Sequence, residues 1–224
     1  MYLSAPPVGQ GKHSAMHPGW PYSTEQVATR RGTVGLRPLR WADGDAWRRL
    51  RVSDEELLRP YEPTVAGEWA QAHDRQGWRS SFQQLRHLAL TGAAVPMVIE
   101  VDGHFAGQLT LGNIAHRPVS SCWIGYWVHS NFTGGGVATA AVALGVDHAF
   151  GPVGLHRVEA TVRPDNAASR AVLSANGFRQ EGLLRANLHI DGRWEDHLLV
   201  AQVAGEHRRS AVARLAAAGK LELL

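Results

Sequence analysis

Three consecutive glycines, Gly134-Gly135-Gly136, separate the apolar run Trp123–Val128 from the alanine-rich run Val137–Leu144. A strand leading through bare backbone into a helix concentrates unpaired N–H donors. No side chain blocks approach at the glycines, and the first N–H groups of the helix lack partners and carry a partial positive charge. The chemistry on offer is a seat for phosphate or pyrophosphate; the other reading is a flexible turn. Two kinds of phosphate site do not fit. A P-loop closes on Gly-Lys-Ser/Thr, whereas Gly136 is followed by Val137-Ala138-Thr139, and both lysines, Lys12 and Lys220, are read as far from the loop. A dinucleotide fingerprint needs G-x-G-x-x-G early in a βαβ unit, and Gly134–Thr139 does not supply it.

A second constellation follows downstream. Leu155–Val162 alternates as a strand, Pro164 breaks it, and Asp165 or Asn166 can cap a helix that runs to Gly177 as a C′ glycine. Asn166 and Ser169, three apart, share one face of that helix's first turn. On the strand, alternation puts Glu159 opposite the face shared by Val158 and Ala160. Cys122, beside the run Trp123–Val128, is either a catalytic thiol or a small buried core residue. Twelve histidines without H-E-x-x-H or clustered cysteines give no metal site, and His13 and His17 in the N-terminal arm do not make one.

The elements that must hold these residues can be read along the chain. Val34–Arg40 is the first strand; Asp43–Val52 and Asp54–Tyr61 are short helices, and Gly67–Thr91 contains one longer helix. Val95–Val101 and Phe105–Asn113 pair about Asp102-Gly103, and Ser120–Val128 comes next. After the Asn166 helix, Phe178–Ile190 and Trp194–Val203 form a hairpin about Asp191-Gly192. The order β-α-α-α-β-β-β-α-β-α-β-β implies a mixed α/β fold. Residues 1–33 read as an extended or disordered arm, partly wrapping through Trp20 and Tyr22, 34–204 as one domain, and 205–224 as a helical tail.

At 224 residues, 44% hydrophobic and with eight tryptophans, the chain can bury a core as one domain. One cysteine excludes an internal disulfide and fits a reducing cytoplasm. No apolar stretch is long enough to span a membrane, and no secretory signal is expected. The net charge of +3 is modest, and its arginines are scattered, so no nucleic-acid partner is expected.

Ile124-Gly-Tyr-Trp-Val128, Gly134-x-Gly-Val-Ala138-Thr139 and Asn166-x-x-Ser169 with Gly177-Phe178 stand in one order. Leu36-Arg37-Pro38-Leu39-Arg40, with Asp43 and Asp45 behind it, precedes them. Together they resemble the GNAT superfamily of N-acetyltransferases, and within it the RimJ/RimL branch of ribosomal-protein-alanine N-acetyltransferases, over roughly residues 34–204. The resemblance implies an acyltransferase with a mixed, largely antiparallel central sheet, flanked by helices and splayed between its fourth and fifth strands. It implies acetyl-CoA as co-substrate, with the pantetheine along Trp127 and Val128 and the phosphates on Thr133, Gly134, Gly135, Gly136, Val137, Ala138 and Thr139. Asn166 and Ser169 join the cofactor-binding set. The Val128 N–H is the implied oxyanion donor, and Ser169 either protonates the leaving thiolate or only caps the helix and binds CoA.

Two positions depart from the family. Thr133 stands where a Gln or Arg is usual, which removes a side-chain contact to phosphate. The base of some relatives falls at Leu188, leaving Glu159, His189, Glu100 or ordered water. Tyr126 could be an acid or a wall of the cleft, and Asp196 an orienting group. The implied reaction is a direct transfer in a ternary complex to a protein N-terminal α-amine. The alternatives are a small amine acceptor (antibiotic, polyamine or amino acid) or a non-catalytic acyl-CoA-binding regulatory module. The tail 206–223 is a candidate self-association helix for a homodimer, or a docking helix.

Overall fold

The computed structural model describes residues 19–224. The histidines at 13 and 17, Lys12 and most of the arm lie outside the described residues. Nine strands form one sheet in the order β7-β8-β6-β5-β4-β3-β2-β1-β9. They are β1 (Val27–Thr29), β2 (Gly32–Pro38), β3 (Ala94–Val101), β4 (His104–Ala115), β5 (Ser121–Val128), β6 (Arg157–Val162), β7 (Arg179–Ile190), β8 (Arg193–Val203) and β9 (Glu222–Leu223). The helices are α1 (Gly44–Ser53), α2 (Glu55–Leu58), α3 (Trp69–Ala72), α4 (Arg75–Leu90), α5 (Val137–Phe150), α6 (Ala167–Ala175) and α7 (Ala211–Ala217).

Every pairing is antiparallel except β5 with β6, and that parallel ladder covers only Ser121–Trp123 against Arg157–Glu159. Beyond Trp123 the two strands part. This is the expected splay, between the strands counted fourth and fifth in the sequence. The phase of the β4–β5 ladder decides what lines it. The His129 N–H bonds to Ala106 O at 2.9 Å, so odd-numbered residues of β5 direct their polar groups to β4. The N–H and C=O groups of Tyr126 and Val128 therefore face the opening.

Two apolar layers cover the sheet. On one face α5, α6 and α7 pack over Leu109, Ile124, Val158 and Ala160; on the other α1 and α4 enclose Leu39, Trp47, Trp78, Val98 and Trp127. Almost every residue of α5 from Ala140 to Ala149 is buried, which explains its small side chains. At Gly145 a Cβ would stand 3.0 Å from Leu109, so a side chain there would have to push the Leu109 methyls aside by a few tenths of an ångström.

Several expectations need correction. The arm is not an unpaired extension where it is described: β1 and the start of β2 form a hairpin at the sheet edge. Gly19 O accepts a hydrogen bond from buried His148 Nε2 at 2.8 Å, and Tyr22 lies against the same ring at 5.0 Å, in keeping with a wrapping segment. The longer helix expected within 67–91 is α4, preceded by the short α3, and Asp74 caps its start by accepting from the Gln76 and Gly77 N–H groups. The tail is not one helix. α7 lays Ala211, Val212 and Leu215 against α5, and the chain then turns into β9 beside β1. That apolar face is covered within the chain, which removes it as a self-association surface. Both Asp-Gly turns form as read, with positive φ at Asp102, Gly103, Asp191 and Gly192.

Candidate active site

Between β5 and α5 the glycines adopt the backbone the sequence suggests. Gly134 and Gly136 lie at φ 75° and 93°, a region that side chains disfavour. Gly136 is the N-cap of α5 and offers no capping side chain. Among the described residues, the N–H groups of Gly134 through Thr139 form no hydrogen bond; the first bonded one is Ala140, to Gly136 O at 2.9 Å. These unbonded N–H groups stand at the positive end of a fourteen-residue helix, with Gly135 beneath the Arg31 stem and Val137 buried. A diphosphate suits that positive end, and the space is open: a Cβ at Gly134 would meet nothing within 4 Å, and one at Gly136 only Lys220 O at 3.7 Å and Thr29 Cβ at 3.9 Å.

Two neighbours of the loop were not legible in the sequence. Arg31, at the β1–β2 turn, donates from Nε to Thr133 O at 3.1 Å, and its stem crosses Gly135, where a Cβ would meet Arg31 Cγ at 2.0 Å. The guanidinium missing at Thr133 is thus brought to the loop by another strand. The backbone at Lys220 also borders the loop: its carbonyl oxygen lies 3.7 Å from a Cβ placed on Gly136. Thr133 itself turns inward, its hydroxyl donating to Ser130 O at 2.8 Å.

The loop is anchored from the opposite layer. Asp54, at the end of α1, accepts from Ser130 N–H at 2.6 Å and Ser130 Oγ at 2.8 Å, and His129 Nε2 stands 3.3 Å from the same carboxylate. The Asn131 N–H donates to His129 Nδ1 at 3.2 Å, which leaves Nε2 as the protonated nitrogen.

Along the splay the odd and even residues of β5 separate. Tyr126 points to the α6 side, where its hydroxyl lies 2.9 Å from Ser169 Oγ. Burial pushes the phenol pKa up to about 12, only partly offset by the hydrogen bond from Ser169. Asn166 caps α6 by accepting from the Ser169 N–H at 3.0 Å, so one residue fixes the other. Trp127 points the opposite way, buried in the α1 layer, with Arg51 5.1 Å from its ring. Its backbone polar groups pair with β4, so Tyr126 and Val128, and not Trp127, present theirs to the opening, against the expectation for Trp127.

The proposed bases are differently placed. Glu159 lies opposite Trp123, at the closed end of the splay, paired with Arg157 at 2.6 Å. Glu100 is on β3, bound by Arg37 at 2.5 Å. His189 Nδ1 meets Thr64 Oγ1 at 2.9 Å, and Asp196 accepts from the Ala186 N–H at 2.7 Å. Leu188 and Trp194 are exposed.

Cys122 is 2% exposed, and burial pushes its thiol pKa up to about 12. A thiol held that high is almost wholly protonated near neutrality and is no nucleophile. A thiol reagent at pH 8 should leave the folded protein unlabelled and modify one equivalent only after denaturation. Rapid labelling of the native chain would restore the catalytic-thiol reading.

A sheet opened between two parallel strands, with a bare helix N-terminus at its mouth, defines an acyltransferase of the GNAT class. Residues 33–179 match the Acetyltransferase (GNAT) domain family, and the chain belongs to it. It is an N-acetyltransferase. It is 41% identical over 175 residues to the probable N-acetyltransferase YjcK of Bacillus subtilis (strain 168), covering 75% of this chain and 93% of that one. It is 25% identical over 163 residues to the [ribosomal protein uS5]-alanine N-acetyltransferase of Escherichia coli (strain K12), covering 71% and 82%. Among solved structures, Mycobacterium smegmatis RimJ in complex with CoA-disulfide superposes with a TM-score of 0.92 at 52% identity, over 93% of this chain and 100% of that one.

Proposed function

We propose that this chain transfers an acetyl group from acetyl-CoA to the N-terminal α-amine of a protein, of the ribosomal-protein-alanine type, by direct attack in a ternary complex. One observation carries the reading. The loop of unbonded N–H groups at 134–139, the outward N–H of Val128 and the Tyr126–Ser169 pair meet at one splay. Likeness to the [ribosomal protein uS5]-alanine N-acetyltransferase of Escherichia coli supports the choice of acceptor.

When bound, acetyl-CoA supplies the acetyl group as an activated thioester. Gly134 through Thr139 would hold its phosphates, with Arg31 alongside, and Val128 would border the pantetheine through its backbone. The Val128 N–H would stabilise negative charge on the carbonyl oxygen. The amine would attack in its neutral form after losing a proton to water, and the Ser169 hydroxyl, backed by the Tyr126 phenol, would deliver a proton to the departing sulfur and regain one from solvent. We assign Glu159 no proton transfer, because Arg157 occupies it. We place the protein in the cytoplasm, where a lone reduced cysteine persists and ribosomal acceptors are made.

Titration with acetyl-CoA should give micromolar binding, and CoA release should be far faster with peptides beginning in alanine or serine than with antibiotics, polyamines or free amino acids. Preference for a small amine would replace the acceptor assignment. Binding with no CoA release for any amine would make the chain a regulatory module.

A further inference from the structure

With Tyr126 and Ser169 on the α6 side of the splay, the other face is left for the amine, and the segment Pro60–Glu62 crosses its mouth. At one lip, just past β6, Arg163 donates to Pro60 O at 3.0 Å and lies 5.6 Å from the Tyr61 ring. At the other lip, Glu62 Oε2 is 3.0 Å from Arg51 NH2, and Arg51 lies over Trp127 of β5. Arg51 has little freedom to move. It is 7% exposed, and the rings of Trp47, Trp69 and Trp127 stand 5.3, 5.4 and 5.1 Å from its guanidinium carbon. Its Nε has no hydrogen-bond partner.

Glu62 is therefore a carboxylate fixed through one oxygen by an immobile cation. Its side chain is 26% exposed, and among the described residues Oε1 accepts no hydrogen bond. Beside it opens a pocket lined by Thr64, Trp69, Asp191 and Gly192. The hairpin turn that carries Asp191 and Gly192 is clasped to this segment: the Gly192 N–H and His189 both meet Thr64 Oγ1 at 2.9 Å.

We propose that Glu62 is the acceptor-binding residue that holds the α-ammonium of the incoming amine, with the adjoining pocket taking the side chain that follows it. The inference rests on the reading of this chain as an acetyltransferase of primary amines. A carboxylate in this place selects a cationic end group through charge-assisted hydrogen bonds. Glu62 holds the amine and is not assigned its proton, so its loss acts on acceptor binding before turnover.

The test uses the full chain, a short peptide beginning in alanine, and the same peptide with its α-amino group replaced by hydrogen, assayed as a competitive inhibitor. The wild type should bind the amine form roughly tenfold to a hundredfold more tightly than the des-amino form. In Glu62→Gln that preference should vanish and the peptide KM rise by the same factor, with kcat within about threefold and acetyl-CoA affinity unchanged. Glu62→Asp should recover part of it. A preference as large in Glu62→Gln as in the wild type overturns the proposal, as does loss of acetyl-CoA affinity in that variant, which would make Glu62 structural. If only a small amine is acetylated, the protein-acceptor reading fails alone. The same comparison, made with that amine and its amine-free analogue, then decides Glu62.

Discussion

Gly136→Asp is expected to weaken acetyl-CoA binding by about a hundredfold, ~3 kcal/mol, in a protein that still folds. The backbone there, at φ 93°, costs any side chain about 1–2 kcal/mol. The space itself is open, since a Cβ would stand 3.7 Å from Lys220 O and 3.9 Å from Thr29 Cβ. Aspartate at an N-cap also gives back part of that cost by accepting from the second or third N–H of the helix. The same geometry is what defeats the ligand: the carboxylate occupies donors the diphosphate needs and adds a like charge beside it. Gly136→Ala separates the two effects, since it carries the backbone strain without the charge and should lower thermal stability while keeping most of the affinity. Thr133→Ala is the second control. Its hydroxyl is tied to Ser130 O, so binding should move by no more than about 0.5 kcal/mol. Calorimetric titration of the three variants reads all of this. Wild-type affinity in Gly136→Asp would reduce the glycine junction to a turn.

The elements that position the site were legible because each carries a local signal. Asp-Gly at 102–103 and 191–192 fixes two hairpins, the alanine run after Gly136 can only be a helix packed on a sheet, and Asn166 caps the turn that carries Ser169. What escaped the sequence is what packing brings from a distance. Arg31 lies more than a hundred residues before Gly135 and Lys220 more than eighty after Gly136, and nothing local to either marks a phosphate loop. Both arrive because β1 and β9 add an edge to the sheet, and strands of three and two residues leave almost no periodicity to detect. Glu62 was hidden for a related reason. Its importance comes from Arg51, and a buried arginine among tryptophans reads in sequence as an ordinary amphipathic helix residue. The base candidates failed in the opposite direction. Glu159 and Glu100 have the right chemistry for proton transfer, and only the structure reveals the arginines that hold them.

Ser169→Ala should lower kcat by about a hundredfold or more while the acetyl-CoA affinity changes by no more than about threefold. The asymmetry follows from where the hydroxyl sits. The Asn166 cap uses the backbone N–H of Ser169, not its side chain, so alanine leaves α6 and the neighbouring phosphate loop in place. The Ser169 hydroxyl is within 2.9 Å of the Tyr126 phenol, and burial holds that phenol protonated to about pH 12. Throughout the working range both hydroxyls keep their hydrogens, and with Tyr126 donating to Ser169 the serine's own hydrogen is free to point at the departing sulfur. Tyr126→Phe removes that support and not the proton itself, so its kcat should fall less than that of Ser169→Ala. The pH profile supplies an independent check. Because the tyrosine is raised, not lowered, its ionisation takes activity away only near the top of the alkaline range. A descending limb of kcat below about pH 10 that disappears in Tyr126→Phe would contradict the assignment. Equal losses of kcat and acetyl-CoA affinity in Ser169→Ala would leave the serine as a cofactor contact, with the proton arriving from solvent.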